Sequence, residues 1–171
     1  MRDNPTLTEG QIDRIREIAT LRKVSSGDVL YEPSQLNVPL FVVLSGVVTN
    51  TRTVEDERVL AVRRAGQFTG EMSLISGKRS LIKALVAEGG TLLELERDKV
   101  FALMAKDTEL SEVFMEAFVA RRLLMIQLGE GNVVLFGTKS SARTLALREF
   151  LTRNATPSLM STSTRSLLQA R

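Results

Sequence analysis

The sequence predicts an α+β fold: a small antiparallel β-barrel or sandwich, flanked by an N-terminal helix and a long C-terminal helix and followed by a short, truncated β-α appendage. Three observations predict it. Residues 24–96 form a run of short apolar segments broken by glycine-bearing turns at near-regular intervals. A capped amphipathic segment precedes that run, and a long apolar stripe of helical period follows it.

The first helix is announced by Thr8 with Gln11 three residues on, the spacing of a capping box, and by Ile12, Ile15, Ile18 and Ala19 on one face. Strands are expected over Val24–Tyr31, Leu40–Leu44, Val47–Thr53, Arg58–Arg64, Leu81–Val86 and Thr91–Glu96, which are rich in Val and Leu. Ser26-Gly27-Asp28, Ser45-Gly46, Ala65-Gly66 and Gly89-Gly90 supply turn residues. Val100, Phe101, Leu103 and Met104 fit a short helix. Leu110, Val113, Phe114, Ala117, Phe118, Leu124, Met125 and Leu128 then mark a long helix over 108–128 that ends near Gly129. Asn132 to Gly137 reads as a buried strand and Ser140 to Arg153 as a helix, the opening of a β-α-β unit. Beyond Pro157 the stretch Ser158–Ser166 is polar and of low complexity where a further strand is needed, so the unit reads as cut short. Two domains are expected: 1–131, and an appendage with a flexible basic tail at 132–171.

Composition removes whole classes of chemistry. The 171 residues contain no cysteine and no histidine, which excludes disulfides, thiol catalysis, every His-dependent triad and most zinc sites. An apolar content of 43% suffices for a real core. No apolar run follows Met1-Arg2-Asp3-Asn4-Pro5, and no segment approaches the ~20 apolar residues of a membrane span, so a cytoplasmic protein is expected. The net charge of +3 is uneven, since residues 132–171 hold six Lys or Arg against a single acid. Without interleaved aromatic residues, such a tail is expected to be solvated rather than a nucleic-acid reader.

The chemistry concentrates in Phe68-Thr69-Gly70-Glu71-Met72-Ser73-Leu74-Ile75-Ser76-Gly77-Lys78-Arg79-Ser80. A guanidinium donates two parallel hydrogen bonds to a phosphate, a carboxylate accepts from sugar hydroxyls, and free N–H groups on a glycine-started turn complete an anion cradle. The bland alternative is an ion pair between Glu71 and Arg79 that pins the loop. Gly77-Lys78 does not make a nucleoside-triphosphate P-loop, because the spacing from Gly70 is wrong and Arg79 stands where a Ser or Thr would reach magnesium. Lys78 and Lys83 either strengthen the positive field or are simply solvated.

Helix, strands, polar loop and long helix together resemble the cyclic-nucleotide-binding domain of the catabolite activator and kinase regulatory-subunit superfamily, over roughly residues 8–129. Gly27-Asp28-Val29-Leu30, Phe41-Val42-Val43-Leu44-Ser45-Gly46, Gly66-Gln67-Phe68 and above all Gly70-Glu71 followed by Arg79-Ser80 carry the resemblance. It implies a jelly-roll-like barrel whose phosphate-binding cassette spans 70–81. In it, Glu71 would accept from the ribose hydroxyl, Arg79 would pair with the cyclic phosphate, and Ser80 would donate through its hydroxyl and N–H. Gly70 would admit the ribose closely, and the turn at Met72-Ser73-Leu74 would aim its N–H groups at the anion. The implied protein is a non-catalytic regulator with cAMP or cGMP as its ligand and no further cofactor. Residues near Arg121-Arg122 would cap the base. Phe114, Phe118, Met125 and Leu128 either face a second subunit, making a homodimer through 108–128, or pack on their own barrel. The cassette is one residue shorter than usual between Glu71 and Arg79, and Leu81 stands where a small residue commonly follows.

No helix-turn-helix follows the long helix, so DNA is not an expected partner; a DNA-binding role would need an unrecognised reading helix in 140–153. Val133 to Asn154 instead resembles the thioredoxin-like linker that joins such a domain to a thioredoxin-reductase-type flavoprotein, although no dinucleotide fingerprint and no Cys-x-x-Cys is present. That points to a flavoprotein module as a partner, and to an alternative function as a ligand-free interaction or dimerisation domain of a flavoprotein disulfide reductase system.

Overall fold

The computed structural model describes residues 4–53, 57–127, 133–136, 142–153 and 158–161. Contacts divide the chain into two units, Met1–Arg121 and Arg122–Arg171. In the first, helix α1 (Glu9–Arg16) starts on the expected box: Thr8 Oγ1 accepts from Gln11 N at 3.3 Å, and Gln11 Oε1 accepts from Thr8 N at 2.9 Å. Its Ile15 is wholly buried, with Ile12, Ile18 and Ala19 packed alongside.

Six strands follow among the described residues: β1 (Thr20–Val24), β2 (Val29–Tyr31), β3 (Leu40–Thr53), β4 (Glu57–Arg63), β5 (Phe68–Thr69) and β6 (Lys83–Leu95). They form one antiparallel sheet with the path β1-β6-β3-β4, with β2 on β6 and β5 on β3. No pairing among the described residues joins β1 to β4, so the expected barrel is an open roll.

Two pairs of expected strands are single strands. Leu40–Leu44 and Val47–Thr53 merge into β3, and most of Leu81–Val86 merges with Thr91–Glu96 into β6. Gly27 and Gly66 stand in turns as expected, whereas Gly46 and Gly90 are crossing points instead. A Cβ on Gly46 would lie 2.6 Å from the Glu88 carbonyl oxygen, and one on Gly90 would lie 2.1 Å from that of Ser45. The long strands pass backbone to backbone there, and their register shifts between Val43 and Val48.

Strand alternation feeds two cores. Leu40, Val42, Phe68, Leu93 and Leu95 meet the helices on one face, while Tyr31, Phe41, Val43, Val48 and Leu92 fill the other. Each fully buried Leu, Val or Phe contributes about 1.5–3 kcal/mol. Helices α2 (Glu71–Ser76), α3 (Arg97–Lys106) and α4 (Thr108–Gln127) follow the chain order. Leu110, Phe114 and Ala117 of α4 are wholly buried in the first core, so Phe114 packs on its own domain. Met115 on α4 is exposed.

The second unit holds β7 (Val133–Phe136), α5 (Ala142–Arg153) and β8 (Ser158–Ser161). β7 and β8 pair in parallel, from Val133 with Ser158 to Phe136 with Ser161. The appendage therefore has the second strand that the polar composition after Pro157 concealed; two central apolar residues, Leu159 and Met160, carry it between serines. Leu145, Leu147 and Phe150 of α5 are exposed. Leu128, Gly129, the Gly137–Ser141 turn and the tail from 162 lie outside the described residues.

Candidate functional site

The cassette begins on a glycine that nothing else could replace. Gly70 has φ +99°, and a Cβ there would sit 2.0 Å from the Pro39 carbonyl oxygen. The left-handed residue turns the chain from β5 into the short helix α2, whose first residue, Glu71, is 2% exposed. A lone buried carboxylate is costly, and this one is paired: Arg121 Nη1 of α4 lies 2.6 Å from Glu71 Oε1. The Arg121 guanidinium also lies over the Phe68 ring at 4.9 Å, and Phe68 meets Phe114 edge to face at 5.1 Å.

Met72 and Ser73 are half-buried on α2, and the helix closes at Gly77, whose N–H donates to the Ser73 carbonyl at 2.9 Å. Beyond it the cassette runs beside the 32–37 loop. Arg79 is exposed, and its Nη1 donates to the Ser34 carbonyl at 2.7 Å. Ser80 is buried. Its N–H donates to the Gln35 carbonyl at 2.9 Å, its hydroxyl to the Ile82 carbonyl at 2.7 Å, and its own carbonyl accepts from Ser34 N–H at 2.8 Å.

All six expected residues thus lie on one continuous segment, but the ion pair considered between Glu71 and Arg79 is not among those of the described residues. Glu71 takes Arg121 and Arg79 takes a neutral carbonyl, because burial demands a charged partner at one end and solvent satisfies the other. Ser80 spends both its donors on backbone carbonyls of Gln35 and Ile82. Lys83 lies 3.7 Å from Glu32, and Glu32 is exposed, so the pair contributes little.

Sequence reasoning missed a second set of polar residues beside the cassette. Tyr31, Asn50 and Thr69 are buried and hydrogen-bonded to one another at 2.6–3.0 Å. The signal was present in β3, where Asn50 takes the same buried phase as Val48 although Asn is depleted in strands. Burial first, and then the charge of Glu71, pushes the Tyr31 phenol up to about 12, so it keeps its proton.

An open antiparallel roll, a glycine-started turn bearing a buried carboxylate, and a long helix gripping that carboxylate define an effector-binding class of regulatory domain. A family model, the cyclic nucleotide-binding domain, matches residues 21–107, and the chain belongs to that family. No curated protein is a significant match to the chain. Among solved structures, the catabolite activator protein of Thermus thermophilus is similar at 30% identity and a TM-score of 0.61, over 71% of this chain and 58% of that protein. The c-di-GMP-responsive global regulator CLP of Xanthomonas campestris shares the fold at 22% identity and a TM-score of 0.59, over 72% of this chain and 63% of that one. The regulatory domain of Toxoplasma gondii PKA, solved with cAMP, does so at 23% identity and a TM-score of 0.50, over 56% and 37%. The chain spans less than two thirds of the length of each of these three. No helix of the described residues is long and apolar enough to cross a membrane.

Proposed function

We propose that the chain is a cytoplasmic, non-catalytic sensor of a cyclic nucleoside monophosphate, cAMP or cGMP, held by Gly70, Glu71, Met72, Ser73, Arg79 and Ser80. The observation that carries this reading is the buried Glu71 gripped by Arg121 of α4. A ribose hydroxyl that donates to Glu71 shares the carboxylate whose Oε1 Arg121 holds, so cassette occupancy and the position of α4 depend on one group. Arg79, held by one neutral carbonyl at the surface, exchanges that contact for a phosphate at small cost. The ligand shifts α4 by its differential affinity for the two arrangements and by no more. The exposed Met115 gives α4 apolar surface for a homodimer. The parallel β7–α5–β8 unit suits attachment to a flavoprotein module of thioredoxin-reductase type.

Thermal-shift and calorimetric titrations with cAMP, cGMP and their linear monophosphates test the reading. The melting temperature is expected to rise with one cyclic nucleotide. Arg79→Ala is expected to remove a charge-assisted bond of ~1.5–3 kcal/mol and weaken affinity at least about tenfold. Unchanged affinity removes Arg79 from the site.

A second reading, a ligand-free interaction domain, is favoured by Ser80, whose two donors are already used within the protein. Absence of any response to the four nucleotides, in a chain that stays dimeric at micromolar concentration, decides for it.

A further inference from the structure

The phosphate end of the cassette takes its backbone contacts from a loop elsewhere in the chain. Residues 77–82 lie between α2 and β6 without regular structure. Among the described residues, the backbone–backbone hydrogen bonds of 78–81 both belong to Ser80: its N–H donates to the Gln35 carbonyl at 2.9 Å, and its carbonyl accepts from Ser34 N–H at 2.8 Å. Arg79 reaches the same loop through its side chain, with Nη1 donating to the Ser34 carbonyl at 2.7 Å. Two cassette residues are thus tied to two loop residues.

The loop is shaped to present those groups. It runs exposed from Glu32 to Asn37 between two buried anchors, Tyr31 and Val38, and closes on itself where Gln35 Oε1 accepts from Glu32 N–H at 3.1 Å. Ser34 has φ +67°, in the left-handed region. Serine takes that region at a cost, and such a residue persists only where its surroundings hold it. Among the described residues the Ser34 hydroxyl makes no hydrogen bond, so its side chain does not account for the conformation. What the conformation achieves is an N–H aimed at Ser80 and a carbonyl aimed at Arg79.

On the reading above, on which this inference rests, Arg79 takes the phosphate. How far a guanidinium reaches depends on where its backbone is fixed, and a fixed backbone spares the ligand the cost of ordering it. Here the described backbone bonds that fix it come from Ser34 and Gln35.

We propose that Ser34 is a positioning residue of the phosphate site: its left-handed backbone fixes Ser80 and, through it, the placement of Arg79.

Calorimetry on the whole chain with cAMP and cGMP identifies the tighter ligand. Its Rp and Sp phosphorothioates then probe the phosphate, and its 2′-deoxy form probes the sugar. Three variants are compared with wild type, and melting curves establish that each folds. Ser34→Pro can neither reach φ +67° nor donate an N–H, Ser34→Val keeps the N–H but disfavours the left-handed region, and Ser34→Gly keeps both. The wild type is expected to bind one phosphorothioate at least about fivefold more weakly than the other. Ser34→Pro is expected to bring that ratio below about twofold and to weaken the parent ligand at least about fivefold, while the 2′-deoxy penalty changes by less than about twofold. Ser34→Gly should match wild type, and Ser34→Val should fall between. A loop with a merely structural role would move the phosphate ratio and the sugar penalty together, or move neither. Either result in Ser34→Pro overturns the proposal. If that variant does not fold, a phosphate ratio in Ser34→Val equal to that of wild type overturns it. A wild type that binds nucleotide without telling the phosphorothioates apart overturns it too. Failure of both nucleotides to bind the wild type overturns the nucleotide reading itself, and the role of Ser34 with it.

Discussion

The two ends of the cassette are built on opposite terms. At one end Glu71 is sealed from water, tied at 2.6 Å to an arginine of another helix, and reached through a glycine pressed against Pro39. At the other, Arg79 is in solvent and touches one neutral carbonyl. On the proposed reading, the buried end is an element of the fold that a ligand would share, and the exposed end would serve a ligand alone. Stability and binding should therefore separate along ten residues of chain.

The strongest way to break that contrast is Arg121→Ala. It leaves the Glu71 carboxylate buried without its ionic partner, and denaturant unfolding is expected to show a loss of about 3–5 kcal/mol. Gly70→Ala should follow at about 2–3 kcal/mol, since the new Cβ meets backbone rather than a side chain that could move. Arg79→Ala sharpens the contrast from the other side: its unfolding free energy is expected to stay within about 0.5 kcal/mol of wild type while ligand affinity falls. An Arg79→Ala loss as large as that of Arg121→Ala would erase the distinction.

A smaller effect belongs to the joint that aims α4 at the cassette. Asp107 Oδ1 accepts from Leu110 N–H at 3.0 Å, and Asp107 Oδ2 accepts from Arg14 Nε at 2.7 Å. The Leu110 N–H first, and Arg14 with it, hold this carboxyl below its ordinary range. A lowered folded-state value means that the contribution is present above the unfolded pKa, about 3.9, and is lost as pH falls through the folded value. Melting temperature against pH is expected to drop more steeply below about pH 4 in wild type than in Asp107→Asn.

Local signals were legible in the sequence and distant ones were not. The Thr8–Gln11 box, the α4 stripe through Leu110, Phe114 and Ala117, and the helical turn at Met72-Ser73-Leu74 follow from neighbours within a few residues, and each is found where expected. Strand β5 is two residues long, too short for any alternation to show. The union of strands in β3 and β6 depends on Gly46 and Gly90 meeting across the sheet, and β8 hides in a serine-rich stretch. Within the site, Arg121 was singled out only as one of two adjacent arginines near a base. Its grip on Glu71 joins residues fifty positions apart, which no spacing rule links. Asn50 drew no notice because one amide in a valine-rich strand reads as tolerated rather than placed.

The crossing of β3 and β6 has a consequence for how this sequence can vary. The atoms that a side chain at Gly46 or Gly90 would strike are the carbonyl oxygens of Glu88, Gly89 and Ser45, which every amino acid carries. No exchange elsewhere in the chain could trim them back, so neither position has a second-site suppressor. In a saturation library screened for folding, both should return glycine alone, and they should do so whether or not the cassette retains its ligand.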